Sequence, residues 1–290
     1  MRGTKTFLTV TMLAAFCAPA SGQFSGERAL EYTRRVVEFG PRPPGSEAIG
    51  KLREYLKAEL SRLGWETTED RFVAQTPKGR LTMVNLIVKL PGTSGQAVAV
   101  TGHYDTKLIE GIRFVGANDA GSSTGLLLEM ARVLSSAKRK HDIYLVWFDG
   151  EESFGEWSAT DGIRGSRHLA EVWSEDGTIN RLIGLINVDM IGDRDLSILR
   201  EWMSTPSLQR RIWETADRLG HGKHYSELDG SVEDDHVPFL RKGVTAVDLI
   251  DFDYGPDNSW WHTEADTMDK LSAQSFQAVG DVLLRVLEEM

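Results

Sequence analysis

The 290-residue sequence carries 43 acidic against 33 basic side chains, a formal charge of −10, and 41% of its residues are hydrophobic. That balance is ordinary for a globular chain, and its acidity sets it against phosphate backbones and anionic lipid headgroups, which argues against nucleic acid or a membrane surface as partner. The length allows one large α/β domain or two small ones.

Arg2 and Lys5 precede an apolar run over 7–18 and the small residues of 18–22, the pattern of a secretory signal peptide. The run is too short to span a bilayer. Residues 1–22 are therefore expected to be removed, leaving 23–290 as a single catalytic domain in the periplasm or outside the cell. Cleavage after Ala20 fits as well as cleavage after Gly22; the latter exposes Gln23. The one cysteine, Cys17, goes with the leader, so no thiol remains for a disulfide, a metal or a nucleophile.

Beyond the leader, Ser25 is placed to cap a helix to about residue 39, stopped by Gly40 and the turn Pro41-Arg42-Pro43-Pro44-Gly45. Ser46 caps a second helix with Ile49, Leu52, Leu56, Leu60 and Leu63 at helical spacing and Gly64 as its stop. Residues 67–74 and 81–90 read as a pair of strands around the turn Pro77-Lys78-Gly79. Four apolar runs, 97–101, 143–148, 183–189 and 244–250, have the character of buried strands. Amphipathic stretches near 122–134, 166–173, 206–219 and 272–289 lie between or after them. This alternation predicts a single α/β domain with a mostly parallel central sheet, an antiparallel edge and helices on both faces. The ligand crevice of such a sheet lies beyond the carboxyl ends of its strands.

Those ends are acidic or histidine-bearing. The strand 97–101 runs into His103 and Asp105, 143–148 into Asp149, Glu151 and Glu152, 183–188 into Asp189, and 244–247 into Asp248. Two loops add Asp119 and the segment Trp260-Trp261-His262. A lone Asp at a strand end is ordinarily a cap or loop hydrogen-bonder; several together are not. If they converge, one crevice holds His103, Asp119, Glu151, Glu152, Asp189, Asp248 and His262, a charge that repels itself unless cations or protons fill it. Two imidazoles and several carboxylates without thiolate suit zinc with open positions. Adjacent side chains in extended chain point opposite ways, so one of Glu151 and Glu152 can ligate while the other acts as general base and acid.

In this order, Gly102-His103-Tyr104-Asp105, Gly116-Ala117-Asn118-Asp119, Asp149-Gly150-Glu151-Glu152, Asn187-Val188-Asp189-Met190 and Trp261-His262-Thr263 resemble the zinc aminopeptidase superfamily, of M28 type, that also contains the animal-type glutaminyl cyclases. The aminopeptidase branch implies two zinc ions: His103 and Asp189 on one, Glu152 and His262 on the other, Asp119 bridging, and Glu151 activating water. The cyclase branch implies one zinc ion, on Asp119, Glu152 and His262. Segment 149–158 with Trp157, its continuation through Asp161 to 165–169, segment 234–243, Trp261 before His262, and the turn 41–46 are closer to cyclases. Animal cyclases have His at the position of Asp248 and a disulfide absent here; bacterial members resemble this chain in having Asp.

The cyclase resemblance implies conversion of an N-terminal glutamine of a peptide or protein to pyroglutamate, an acyl transfer that releases ammonia. It implies Glu151 as proton carrier with Asp189 and Asp234 around it, and a pocket of Trp157, Trp261 and Asp248. Peptide or protein N-termini are the expected partners, with no nucleic acid, no membrane contact in the mature form, and a monomeric state. His141, His168, His221 and His224 read as packed or solvated, and the match at His236 implies support rather than ligation.

Overall fold

The computed structural model describes residues 22–290; the expected signal peptide lies, but for Gly22, outside the described residues. Helix α1 (Gly26–Val37) starts where the Ser25 hydroxyl accepts from the Arg28 amide at 3.3 Å, and α2 (Glu47–Arg62) where Ser46 accepts from Ile49 at 3.2 Å. Each side chain satisfies an amide that the first turn leaves without a partner. Gly64 ends the second helix at φ +83°, a left-handed conformation that glycine adopts without steric cost.

Strands β1 (Thr67–Thr76) and β2 (Gly79–Leu90) form the expected antiparallel pair, in register from Thr67 opposite Val88 to Thr76 opposite Gly79. Then follow β3 (Ala97–His103), α3 (Gly121–Leu134), β4 (Asp142–Phe148), α4 (Arg164–Glu175) and β5 (Leu182–Asp189). The chain continues through β6 (Ile198–Glu201), α5 (Pro206–Leu219), β7 (Tyr225–Gly230), α6 (Val237–Arg241), β8 (Ala246–Ile250) and α7 (Ala273–Glu289). The main sheet has the order β1-β2-β4-β3-β5-β8, with β4, β3, β5 and β8 parallel and β1 and β2 forming the antiparallel edge.

The strand period of two places alternate side chains on opposite faces. Val100 of β3, with Leu145 and Trp147 of β4, packs toward α1, α2, α3, α5 and α7. Ala97 and Ala99, with Tyr144, Val146 and Phe148, pack toward Trp173 of α4 and Phe239 of α6. Trp147 is fully buried in the first layer, as expected of a strand tryptophan. Burying a large apolar side chain stabilises by about 1.5–3 kcal/mol, and both faces do so along whole strands, which makes the crossing helices obligatory.

Sequence periodicity does not anticipate β6 and β7, which form a separate two-stranded parallel sheet. Strand β6 has four residues, and β7 shows mostly exposed or half-buried polar groups, so neither carries an apolar run. No helix among the described residues is long and apolar enough to cross a membrane.

Candidate active site

The carboxyl ends of β3, β4, β5 and β8 open into a cavity of about 400 Å³. Its polar side is Asp119, Glu151, Glu152, Asp189, Ser231, Glu233, Asp234 and His262; its apolar side is Trp157, Val232, Ile250, Phe252 and Trp261. Among the described residues, no lysine or arginine lines it.

Each acid is carried by a different piece of the frame. The β3–α3 loop supplies Asp119 and depends on Gly116: a Cβ there would lie 1.8 Å from the Asp119 carbonyl oxygen, and its φ is +51°. Arg42 locks the same loop. Its buried guanidinium donates to the carbonyls of Tyr104 at 3.0 Å, Val115 at 2.5 Å and Gly116 at 2.9 Å. Burial lowers its pKa to about 10, against the pull of Asp266 and Asp119, so it stays cationic at neutral pH beneath the acidic cluster. The pair Glu151 and Glu152 follows β4, and the Asp105 carboxylate accepts from both of their amides, at 3.2 and 3.3 Å.

His262 Nε2 lies 3.1 Å from Glu152 Oε1 and 3.2 Å from Asp119 Oδ2. His103 Nε2 lies 3.2 Å from Asp189 Oδ1 and 3.3 Å from Asp119 Oδ1. Asp119 thus turns one oxygen to each imidazole. Two overlapping groups, Asp119–Glu152–His262 and His103–Asp119–Asp189, have ligand atoms all within 4.8 Å of one another. Their imidazole and carboxylate donors fit a borderline dication such as zinc.

The electrostatics show a cluster short of positive charge. Burial opposes a charged His262, yet Glu152 and Asp119 raise its pKa to about 9. Burial would raise Asp119, but hydrogen bonds from His103 and His262 hold it far below the usual carboxylate range. Asp189 is pushed up to about 7, by burial first. Glu151 is raised well above the ordinary value, by burial and then by Glu152 and Asp234, with His103 pulling the other way. Glu151 belongs to neither ligand group; its Oε2 lies 3.9 Å from His103 Nδ1, which has no hydrogen-bond partner among the described residues.

Trp261 stacks on the His262 ring at 4.0 Å, and Phe252 meets Trp261 edge-on at 4.9 Å. At the mouth, Trp157 is 40% exposed and donates its Nε1–H to Glu233 at 3.2 Å. Asp248 lies one row deeper than the expected pocket wall: it is fully buried, does not line the cavity, and accepts from Asn187 at 3.1 Å. The other histidines sit elsewhere: His141 against Ser94, His168 against Asp70, His221 against Asp281, His224 against the Leu196 carbonyl.

Sequence reasoning missed Phe252, Arg42 and Asp266. The Asp266 carboxylate accepts from the amides of Asn118 at 2.8 Å and Asp119 at 3.2 Å and from the Tyr254 hydroxyl at 2.7 Å, tying the Asp119 loop to the loop that carries His262. A signal was present in its position four residues after His262. Asp266→Ala leaves these donors buried without an acceptor, at about 1–3 kcal/mol for a lost buried partner. The urea midpoint is therefore expected to fall by an equivalent of about 2–4 kcal/mol; an unchanged midpoint would refute the strut.

Residues 85–287 match peptidase family M28. The chain is 32% identical over 280 residues to a glutaminyl-peptide cyclotransferase of Drosophila melanogaster, covering 84% of this chain and 78% of that protein. Its fold is similar to a crystal structure of Acidobacteriales bacterium glutaminyl cyclase, with a TM-score of 0.89 and 39% identity over 96% of this chain and 98% of that one. Porphyromonas gingivalis glutaminyl cyclase gives a TM-score of 0.83 and 30% identity over 92% and 98%.

Proposed function

The chain belongs to peptidase family M28, and we infer that within it this protein is a glutaminyl-peptide cyclotransferase, which closes an N-terminal glutamine of a peptide or protein to pyroglutamate and releases ammonia. The observation that carries this reading is a buried carboxylate, Glu151, left out of both ligand groups and facing an aromatic-walled cavity, in a chain similar over nearly its whole length to glutaminyl cyclases.

Asp119, Glu152 and His262 would hold one zinc ion, which when bound polarises the substrate's side-chain amide carbonyl and stabilises the oxyanion. Glu151 takes the proton from the attacking α-amine and returns it to the departing amide nitrogen, so the C–N bond of the ring forms, the old amide C–N bond breaks, and ammonia leaves. Asp189 and Asp234 line the cavity with it and steer protons to and from its carboxylate. Attack within one residue, by the α-amine on the side-chain amide carbon, closes a five-membered ring, so the protein's main task is orientation. Trp157, Trp261 and Phe252 serve it by excluding water and shaping a small site. In this reading His103 is a hydrogen-bonding neighbour.

The test is mass spectrometry of zinc-loaded protein with a peptide beginning Gln-Phe and a control beginning Leu-Phe. Loss of one ammonia from the first, with the control untouched, is expected. A shortened peptide would overturn the reading in favour of a two-zinc aminopeptidase.

The leader pattern supports export, and cleavage after Gly22 would make Gln23 itself a substrate. Gly22 lies with Val98 and Ile143 at the starts of β3 and β4, the opposite end of the sheet from the cavity, and Arg132 holds the Gln23 carbonyl at 2.7 Å. Cyclisation of a Gln23 so exposed would therefore proceed between molecules, and its rate per molecule, read by intact mass, should rise with protein concentration. A concentration-independent rate would contradict this.

A further inference from the structure

Glu201 and His236 are both fully buried, outside the cavity, and paired with each other, and the reaction as described uses neither. Glu201 closes β6 and collects five donors. Its Oε1 accepts from the amides of Met203 at 2.9 Å and Val232 at 3.4 Å; its Oε2 accepts from the amide and hydroxyl of Ser204 at 2.7 and 2.9 Å and faces His236 Nε2 at 3.1 Å. The Ser204 hydroxyl in turn accepts from the Asp248 amide at 3.0 Å. One carboxylate therefore joins the end of β6, strand β8 and the segment 231–236.

That segment is a wall of the cavity through Ser231, Val232, Glu233 and Asp234. Its two attachments to Glu201, the Val232 amide and the His236 ring, bracket Asp234. His236 Nδ1 has no partner among the described residues, so Glu201 is the ring's one hydrogen-bonded anchor there. Hydrogen bonds to a carboxylate are stronger and geometrically stricter than neutral ones, and a carboxylate that accepts from several segments rigidifies what it joins.

Resting on the cyclase reading, we propose that Glu201 and His236 are a positioning pair: they fix the wall 231–236, and with it Asp234, at the distance from Glu151 that proton transfer needs. Neither touches substrate. Misplacement of reacting groups by about 1 Å can cost about 100-fold in rate, whereas Trp261 and Phe252 stand on another segment and Trp157 meets the wall only through its exposed bond to Glu233 at 3.2 Å. Loss of the pair therefore lowers kcat and leaves KM nearly unchanged.

The experiment compares His236→Gln, whose amide N–H can replace the Nε2 donor, with His236→Leu, which cannot donate. Both are measured in the full chain by steady-state kinetics on a Gln-Phe peptide and by amide hydrogen exchange over 231–236. His236→Leu is expected to lose about 10- to 100-fold in kcat with KM within about threefold, to exchange faster over 232–234, and to keep wild-type zinc content. His236→Gln is expected to stay near wild type in all three. Equal kcat in His236→Leu and wild type, equal loss in both variants, or unchanged exchange would overturn the proposal. If His236→Leu does not fold, Ser204→Ala removes one donor to Glu201 and should show the same kcat-selective loss on a smaller scale; a loss confined to KM, or no loss, would refute the pair. A wild-type protein that cyclises nothing would overturn the functional reading, and the exchange comparison would still decide the pair.

Discussion

Replacing Glu151 by Gln is expected to cut pyroglutamate formation by about 10²- to 10⁴-fold, the range that a positioned acid–base group contributes, while zinc content stays at the wild-type level. The amide has nearly the carboxylate's shape but cannot accept the amine proton. The fold should tolerate it, because what positions residue 151 is backbone: its amide is held by Asp105 at 3.2 Å and its carbonyl accepts from Ile163 at 2.7 Å. The side chain stands outside both ligand groups, so removing its charge leaves Asp119, Glu152 and His262 as they were. Elemental analysis of the purified variant beside a mass-spectrometric rate assay separates the two quantities. Loss of metal in this variant, or an unimpaired rate, would remove Glu151 from its assigned role.

What could be read in the sequence follows from where local chemistry coincides with tertiary need. Ser25 and Ser46 cap the helices they were expected to cap, since a cap uses residues three apart. The strands β3, β4, β5 and β8 stand out because they are buried on both faces, and their ends converge because a parallel sheet brings all its carboxyl ends to one side. Residues whose meaning depends on distant partners were illegible. Arg42 sits in what reads as a turn, and only the fold brings the carbonyls of Tyr104, Val115 and Gly116 around its guanidinium. Glu201 ends a strand too short to show a period.

The placement of Asp248 has a simple cause. In register, Asp189 pairs with Ile250 and Asn187 with Asp248, so Ile250 reaches the cavity and Asp248 stands one row inside. An apolar run ending in acid locates the rim of a sheet only to within a residue or two, and here the strand runs on past its Asp.

His262→Ala is expected to lose zinc and, with it, turnover, whereas His103→Ala should retain a full equivalent of zinc. Both imidazoles are within 3.3 Å of Asp119, so the difference lies in their surroundings. His262 is held at φ +55°, a conformation uncommon for a residue with a side chain, with Trp261 stacked on its ring and Phe114 edge-on at 5.6 Å. It completes the group that contains Glu152, whose Oε1 also accepts from the Lys107 amide at 3.1 Å, and this set opens toward the aromatic wall where substrate enters. His103 is 1% exposed, stands 3.2 Å from Asp189 and 3.9 Å from Glu151, and does not line the cavity. Partners one shell removed from a metal typically change affinity by about 10- to 100-fold, so loss of a direct ligand should exceed that in a chelator competition. Chelated wild-type protein should regain its rate on addition of one equivalent of zinc. If recovery requires two equivalents, or if His103→Ala halves the zinc content, then the group His103–Asp119–Asp189 also holds an ion, and Asp119 bridges two metals as its divided oxygens allow.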